Sequence, residues 1–226
     1  MKKILVLIIS FTYSLIVFAY NDVTKFLGFP VDGSKSEMIS NLKSKGFKLN
    51  SVGDKEYLTG RFNGMNVQIY ISTEKDKVSR ILICDENLLN ETDIKIRFNT
   101  LCQQFKNNGK YLSLEDYTIS DNEDISYQMN IKNKRYEAIY YQLPEGETLN
   151  KILDPLVQKA LLKYTPEQLF NPTDEIKYEI FSEGIETLFN EVKNKPVWFM
   201  ISEHYGKYFI SMFYDNELNR AQGEDL

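Results

Sequence analysis

His204 is the only histidine in the chain, and Glu203 stands beside it. An imidazole next to a carboxylate can act as a general base or a metal ligand once a nucleophile or further ligands come within reach. The local sequence supplies neither: His204 flanks an expected hairpin turn opposite Lys207, an exposed setting. Cys84 and Cys102 are the only thiols, and a thiol nucleophile needs a base that His204 alone could provide, far away along the chain. Tetrahedral zinc sites draw on several Cys or His ligands, which this chain does not hold. The clusters Asp121 to Asp124 and Asp215 to Glu217 offer oxygen ligands that suit calcium. Neither has the Gly and distal Glu spacing of an EF-hand loop, and both read as solvated turns. No Gly-x-Ser-x-Gly elbow, phosphate loop or His-Glu-x-x-His occurs. Distant Asp and Glu could still converge as a glycosidase pair, but no spacing singles one out. On residue type and spacing, no catalytic residue, metal ligand or cofactor is assigned.

The elements that would position any site are clearer. Asn63-Gly64 tolerates the positive φ angles of a type I′ turn. Closing the loop there pairs Phe62 with Met65, Gly60 with Val67 and Leu58 with Ile69 on one face. Arg61 with Asn66, Thr59 with Gln68 and Tyr57 with Tyr70 then fall on the other. A slip of one residue would put the apolar set into water, so turn and alternation specify one register. Ahead of this hairpin, Ser34 and Glu37 form a capping box for a helix over Lys35 to Lys45, which Gly46 closes. Behind it, Lys77 to Cys84 is apolar on both faces near its end, as a strand inside a sheet would be.

The same order starts again with a helix from about Thr92 to Asn107, whose stripe carries Ile94, Phe98, Leu101, Cys102 and Phe105. A second hairpin is expected to turn at Asn133-Lys134, pairing Ile131 with Tyr136, Met129 with Ala138 and Tyr127 with Tyr140. A third, looser unit opens with a helical period from Leu149 to Tyr164, in which Pro155 either starts the helix or kinks it. Ser182 is expected to cap a helix bearing Ile185, Leu188, Phe189 and Val192. The last hairpin turns at Tyr205-Gly206 and pairs Ile201 with Ile210, Phe199 with Met212 and Val197 with Tyr214. Trp198 and Phe213 then pair on the opposite face.

Helix followed by antiparallel hairpin, without a βαβ rhythm, predicts an α+β fold of repeated helix and hairpin units, with helices packed on one face of the sheet. The expected divisions are residues 1–19, 20–88, 89–145 and 146–226.

Residues 1–19 have the layout of a secretory signal peptide. Lys2 and Lys3 precede a largely apolar run, and Val17-Phe18-Ala19 places small residues before a cut at Tyr20. The run is shorter than the roughly 20 apolar residues of a membrane anchor. The chain is therefore expected to be exported, to the periplasm or beyond, with no membrane span after cleavage. Removal of both leader lysines leaves 25 basic against 32 acidic residues, a net charge of −7. So acidic a chain, with no long basic cluster, is a poor match for nucleic acid. Export would permit a Cys84–Cys102 bridge. Both cysteines instead read as small buried residues, Cys84 ending the run Ile81 to Ile83 and Cys102 on its helical stripe.

Two stretches carry a resemblance. Phe26 to Ser34 with Met38, Ile39 and Leu42 to Phe47, and at the other end Val197 to Phe199, Tyr208 to Asn216 and Asn219 to Leu226, resemble a group of uncharacterised exported proteins of gut Gram-negative anaerobes. These regions span about a quarter of the chain. The repeated helix and hairpin order is similar to β-lactamase-inhibitor-protein-like and outer-membrane-assembly-lipoprotein-like (BamE-like) domains. That resemblance implies a non-enzymatic protein-binding role, although the lipidated Cys of the assembly lipoproteins is missing here.

Aromatic content is the remaining feature. Tyr57, Tyr70, Trp198 and Phe213 fall on strand faces that the alternation directs outward, and such residues favour protein interfaces and sugar stacking. They are the expected binding residues unless a further helix covers them. A protein partner is the first expectation. The alternative is a carbohydrate ligand, or a glycoside hydrolase working through Asp and Glu.

Overall fold

The computed structural model describes residues 22–220. The expected signal peptide, residues 1–19, lies outside the described residues. The fold is α+β, built on an eight-stranded antiparallel sheet. After a two-stranded ribbon of β1 (Lys25–Phe26) and β2 (Phe29–Pro30) comes α1 (Lys35–Ser44), capped by Ser34 through the Glu37 amide. Four strands follow: β3 (Lys48–Val52), β4 (Lys55–Phe62), β5 (Met65–Glu74) and β6 (Lys77–Asp85). Helix α2 (Glu91–Lys106) then crosses to the far edge strand β7 (Tyr111–Ser113), and α3 (Ile125–Lys132) and β8 (Glu137–Gln142) follow. Three helices, α4 (Glu147–Lys163), α5 (Pro166–Phe170) and α6 (Asp174–Val192), precede β9 (Pro196–His204) and β10 (Lys207–Asp215).

The strand order is β3-β4-β5-β6-β10-β9-β8-β7. The last hairpin is thus inserted at the centre, with β10 beside β6. Two hairpins have the expected registers: Leu58 faces Ile69 and Phe62 faces Met65, while Ile201 faces Ile210 and Trp198 faces Phe213. Their turns use positive φ at Asn63 and Gly64 and at Tyr205 and Gly206, as a type I′ turn requires. Gly60 has a separate reason to be glycine: an added Cβ would sit 2.5 Å from the Phe47 ring, which fills that space.

The inner sheet face carries Leu58, Ile69, Ile83, Met212, Phe199 and Ala138 in one cross-strand row, all buried. Met38 and Leu42 of α1 and Ile94, Phe98, Leu101, Cys102 and Phe105 of α2 close over it. Arg97 fastens α2 to the sheet, reaching Asp85 (Nε to Oδ2, 3.2 Å) and donating to the Asn63 carbonyl (3.1 Å). Cys84 and Cys102 are unbridged. Cys84 points to the outer face, beside Ser211, while Cys102 belongs to the core on the other side.

Several expectations are corrected. Asp215 to Glu217 is not a solvated turn: Asp215 ends β10, and both it and Asn216 are buried. Asn133-Lys134 does not close a hairpin, because residues 125–132 form α3. Asp124 caps that helix through the Tyr127 amide, and Asn133 ends it in a left-handed conformation. The positive φ of Asn133 therefore terminates a helix instead of turning a ribbon. Ser182 is not a cap: α6 begins earlier, at Thr173, whose hydroxyl accepts from the Ile176 amide, and Ser182 instead donates back to the Glu179 carbonyl. Of the two settings expected for Pro155, a helix start is ruled out and a place inside the helix is found, since α4 runs through it.

The core also sets a pH limit. Burial first, then the Glu123 carboxylate, raises the Tyr136 phenol; burial raises Tyr140 and Tyr214 as well, and pushes the Cys102 thiol up to about 11. Such groups hold their protons more tightly when folded. Their contribution is complete below the unfolded pKa and is lost as pH rises through the folded one. Stability is expected to fall from about pH 9 upward. The buried phenols' share of tyrosinate absorbance should appear together with the loss of circular dichroism. Ionisation of all the phenols near pH 10 with circular dichroism intact would contradict this.

Candidate functional site

The four sequence-predicted residues fall in one row on the outer sheet face. The row runs Tyr57 (β4), Tyr70 (β5), Leu82 (β6), Phe213 (β10), Trp198 (β9) and Ile139 (β8), with Tyr57 beside Tyr70 by ring stacking and the other neighbours fixed by strand register. Strand spacing makes this line about 24 Å long. Each of its side chains is half-buried. No described helix hides the row, although α6 reaches its corner, where Phe189 meets Tyr141 edge-on at 5.0 Å. The next row along the strands, Thr59, Gln68, Cys84, Ser211, Met200 and Glu137, is smaller and more polar.

Within the aromatic row the rings are paired. Tyr57 and Tyr70 stack with centroids 5.8 Å apart, and Tyr70 donates its hydroxyl to Gln68 at 2.6 Å. Burial raises the Tyr70 phenol. Trp198 and Phe213 stack more tightly, at 3.9 Å and 10°. Arg80 lies over both rings, 5.0 Å from the Phe213 centroid and 5.7 Å from that of Trp198. Asp215 holds this group in place. Only 3% exposed, it accepts from Arg80 Nε at 2.5 Å, from Arg80 Nη2 at 2.7 Å and from Trp198 Nε1 at 2.9 Å. The Asp215 bond raises the Arg80 pKa further, so that guanidinium is a fixed cation.

Beside Trp198 the face dips into an open groove of about 700 Å³. Ile139, Tyr141 and Trp198 form its apolar floor, and Arg135, Lys193 and Arg220 line its rim. Arg135 is paired with Glu137 at 3.1 Å and Arg220 with Glu217 at 2.9 Å. The groove thus combines flat apolar surface with both donors and acceptors, which suits a peptide or a sugar ring.

The other chemistry candidates lie apart or are already engaged. His204 sits at the exposed end of β9, opposite Lys207, with its ring against Tyr205. In the Asp121 to Asp124 cluster, Glu123 receives Tyr136 and Lys134, Asp124 caps α3, and Lys95 donates to the carbonyls of Asp121 and Glu123. Among the described residues, no group of three or more His, Cys, Asp or Glu is arranged to hold a metal ion. No described helix is long and apolar enough to cross a membrane.

Sequence reasoning found the ring pairs but missed Leu82 and Ile139, which make them continuous, and Arg80 with Asp215, which fixes one pair. Alternation in β8 could have signalled Ile139 and Tyr141. The groove rim gave no signal, since Arg135, Lys193 and Arg220 meet only in the fold. No protein-family model, curated protein or solved structure matches the chain.

Proposed function

We propose that this chain is an exported, non-enzymatic protein-binding module that engages its partner with the outer sheet face. The observation that carries this reading is the continuous aromatic and aliphatic row from Tyr57 to Ile139. Half-exposed, mutually stacked rings supply rigid contact area at little entropic cost, as interface hot spots do. Export rests on the leader pattern of residues 1–19, and the resemblance of both ends of the chain to uncharacterised exported proteins agrees with it.

Carbohydrate binding is the second reading, favoured by the groove, where Trp198 and Tyr141 are flanked by Asn194, Arg135 and Glu137. The test is capture by the mature chain, Tyr20 to Leu226, from envelope proteins and from polysaccharides in parallel. A specific protein retained by wild type and lost by Tyr57→Ala/Tyr70→Ala supports the first reading. Retention by polysaccharide alone replaces it with the second.

A further inference from the structure

Helices α4 and α6 pack side by side as an arm joined through α5, and the main contact of α6 with the sheet is β8. No residue of α4 or α5 is buried, and Val192 alone is buried in α6. The two sides of the arm differ. Lys159 pairs with Glu183 and Lys163 with Glu179 across one side. Val157 and Leu161 each precede one of these lysines by two positions, and Phe181 is two positions from each glutamate, about 200° around its helix. The side away from the ion pairs therefore carries these apolar residues, next to the exposed Lys177–Asp174 pair. It exposes Val157 (53%), Leu161 (54%), Tyr178 (75%) and Phe181 (66%). Phe170 (85%) stands out at the tip, near a hollow of about 500 Å³ lined by Leu169, Pro172, Lys177, Tyr178, Ile180 and Phe181.

We infer that this side of the arm binds the same side of a second copy of the chain, forming a two-fold dimer. Two observations select that occupant. At these exposures the five side chains present roughly 600 Å² of surface, close to the ~800 Å² per partner of a standard interface. A projecting ring and a mainly apolar hollow occur on one arm, as a self-complementary contact requires. The arm as a whole is acidic, since α4 has three lysines against two carboxylates and α6 one lysine against six. The resulting acidity of the arm repels anionic headgroups, which disfavours a membrane surface.

Sedimentation velocity of the purified full chain tests this. The expected species has the mass of two chains. Leu161→Glu/Phe181→Glu should weaken association at least tenfold without changing circular dichroism, whereas Leu162→Glu, on another side of α4, should leave the dimer intact. If the double variant misfolds, Tyr178→Ser provides the same comparison. Tyr57→Ala/Tyr70→Ala should remain dimeric, which separates this contact from the outer-face reading. A one-chain mass at every concentration overturns the inference, as does a dimer that survives the arm substitutions. Flotation of one-chain protein with phosphatidylglycerol vesicles would overturn it in favour of a membrane surface.

Discussion

Phe199→Ala is expected to lower the unfolding free energy by about 3–5 kcal/mol. Phe199 is fully buried at the centre of the inner face. Its ring lies 5.1 Å from Phe98, 5.7 Å from Phe105 and 6.1 Å from Tyr140. Truncation removes the transfer free energy of the ring and leaves a cavity between a helix and two strands, which cannot both move in. For a chain of this size, that loss corresponds to a fall in melting temperature of about 10 °C. Urea titration by circular dichroism measures it. A loss below about 1 kcal/mol would mean that α2 collapses onto the sheet and that the core is far more plastic than this packing implies.

Asp215→Ala is expected to cost about 2–4 kcal/mol. The substitution leaves the Trp198 indole N–H and the Arg80 guanidinium without their acceptor. Arg80 is partly exposed, with 31% of its side chain accessible, so water can recover some of its hydration, which keeps the cost below that of a fully buried pair. Asp215→Asn should cost less, since one oxygen remains to accept. The functional consequence is separate from the energetic one. Asp215 fixes the orientation of the Trp198 indole and the Arg80 guanidinium beside Phe213, so binding through that end of the row should weaken, more in the alanine variant than in the asparagine one. An Asp215→Ala protein as stable as wild type would show that this cluster does not order the outer face.

Legibility in the sequence followed the distance over which each feature is determined. The hairpins at Asn63-Gly64 and Tyr205-Gly206 were readable because turn chemistry and alternation agree over a few residues. They placed Tyr57 beside Tyr70 and Trp198 beside Phe213. That the two pairs share one row depends on Leu82 facing Phe213, a contact between β6 and β10 that no local pattern encodes. The failure at Asn133 has the opposite cause. Tyr127, Met129 and Ile131 alternate as a strand would, but Asp124 caps a helix there, and a left-handed Asn serves a helix end as well as a turn. The groove could not be read because its rim comes from β8, the α6–β9 junction and the C-terminal turn.

The measurement that bears most directly on the outer-face reading is the affinity of the captured envelope protein for wild type and for Tyr57→Ala/Tyr70→Ala, with thermal stability recorded on the same samples. Both rings are half-buried and their partners are chiefly each other, so folding should lose no more than about 1 kcal/mol. Binding should weaken more than tenfold, as loss of aromatic hot spots does. Unchanged affinity in a folded variant would contradict a role for the row in recognition, and a large loss of stability would make these tyrosines core residues.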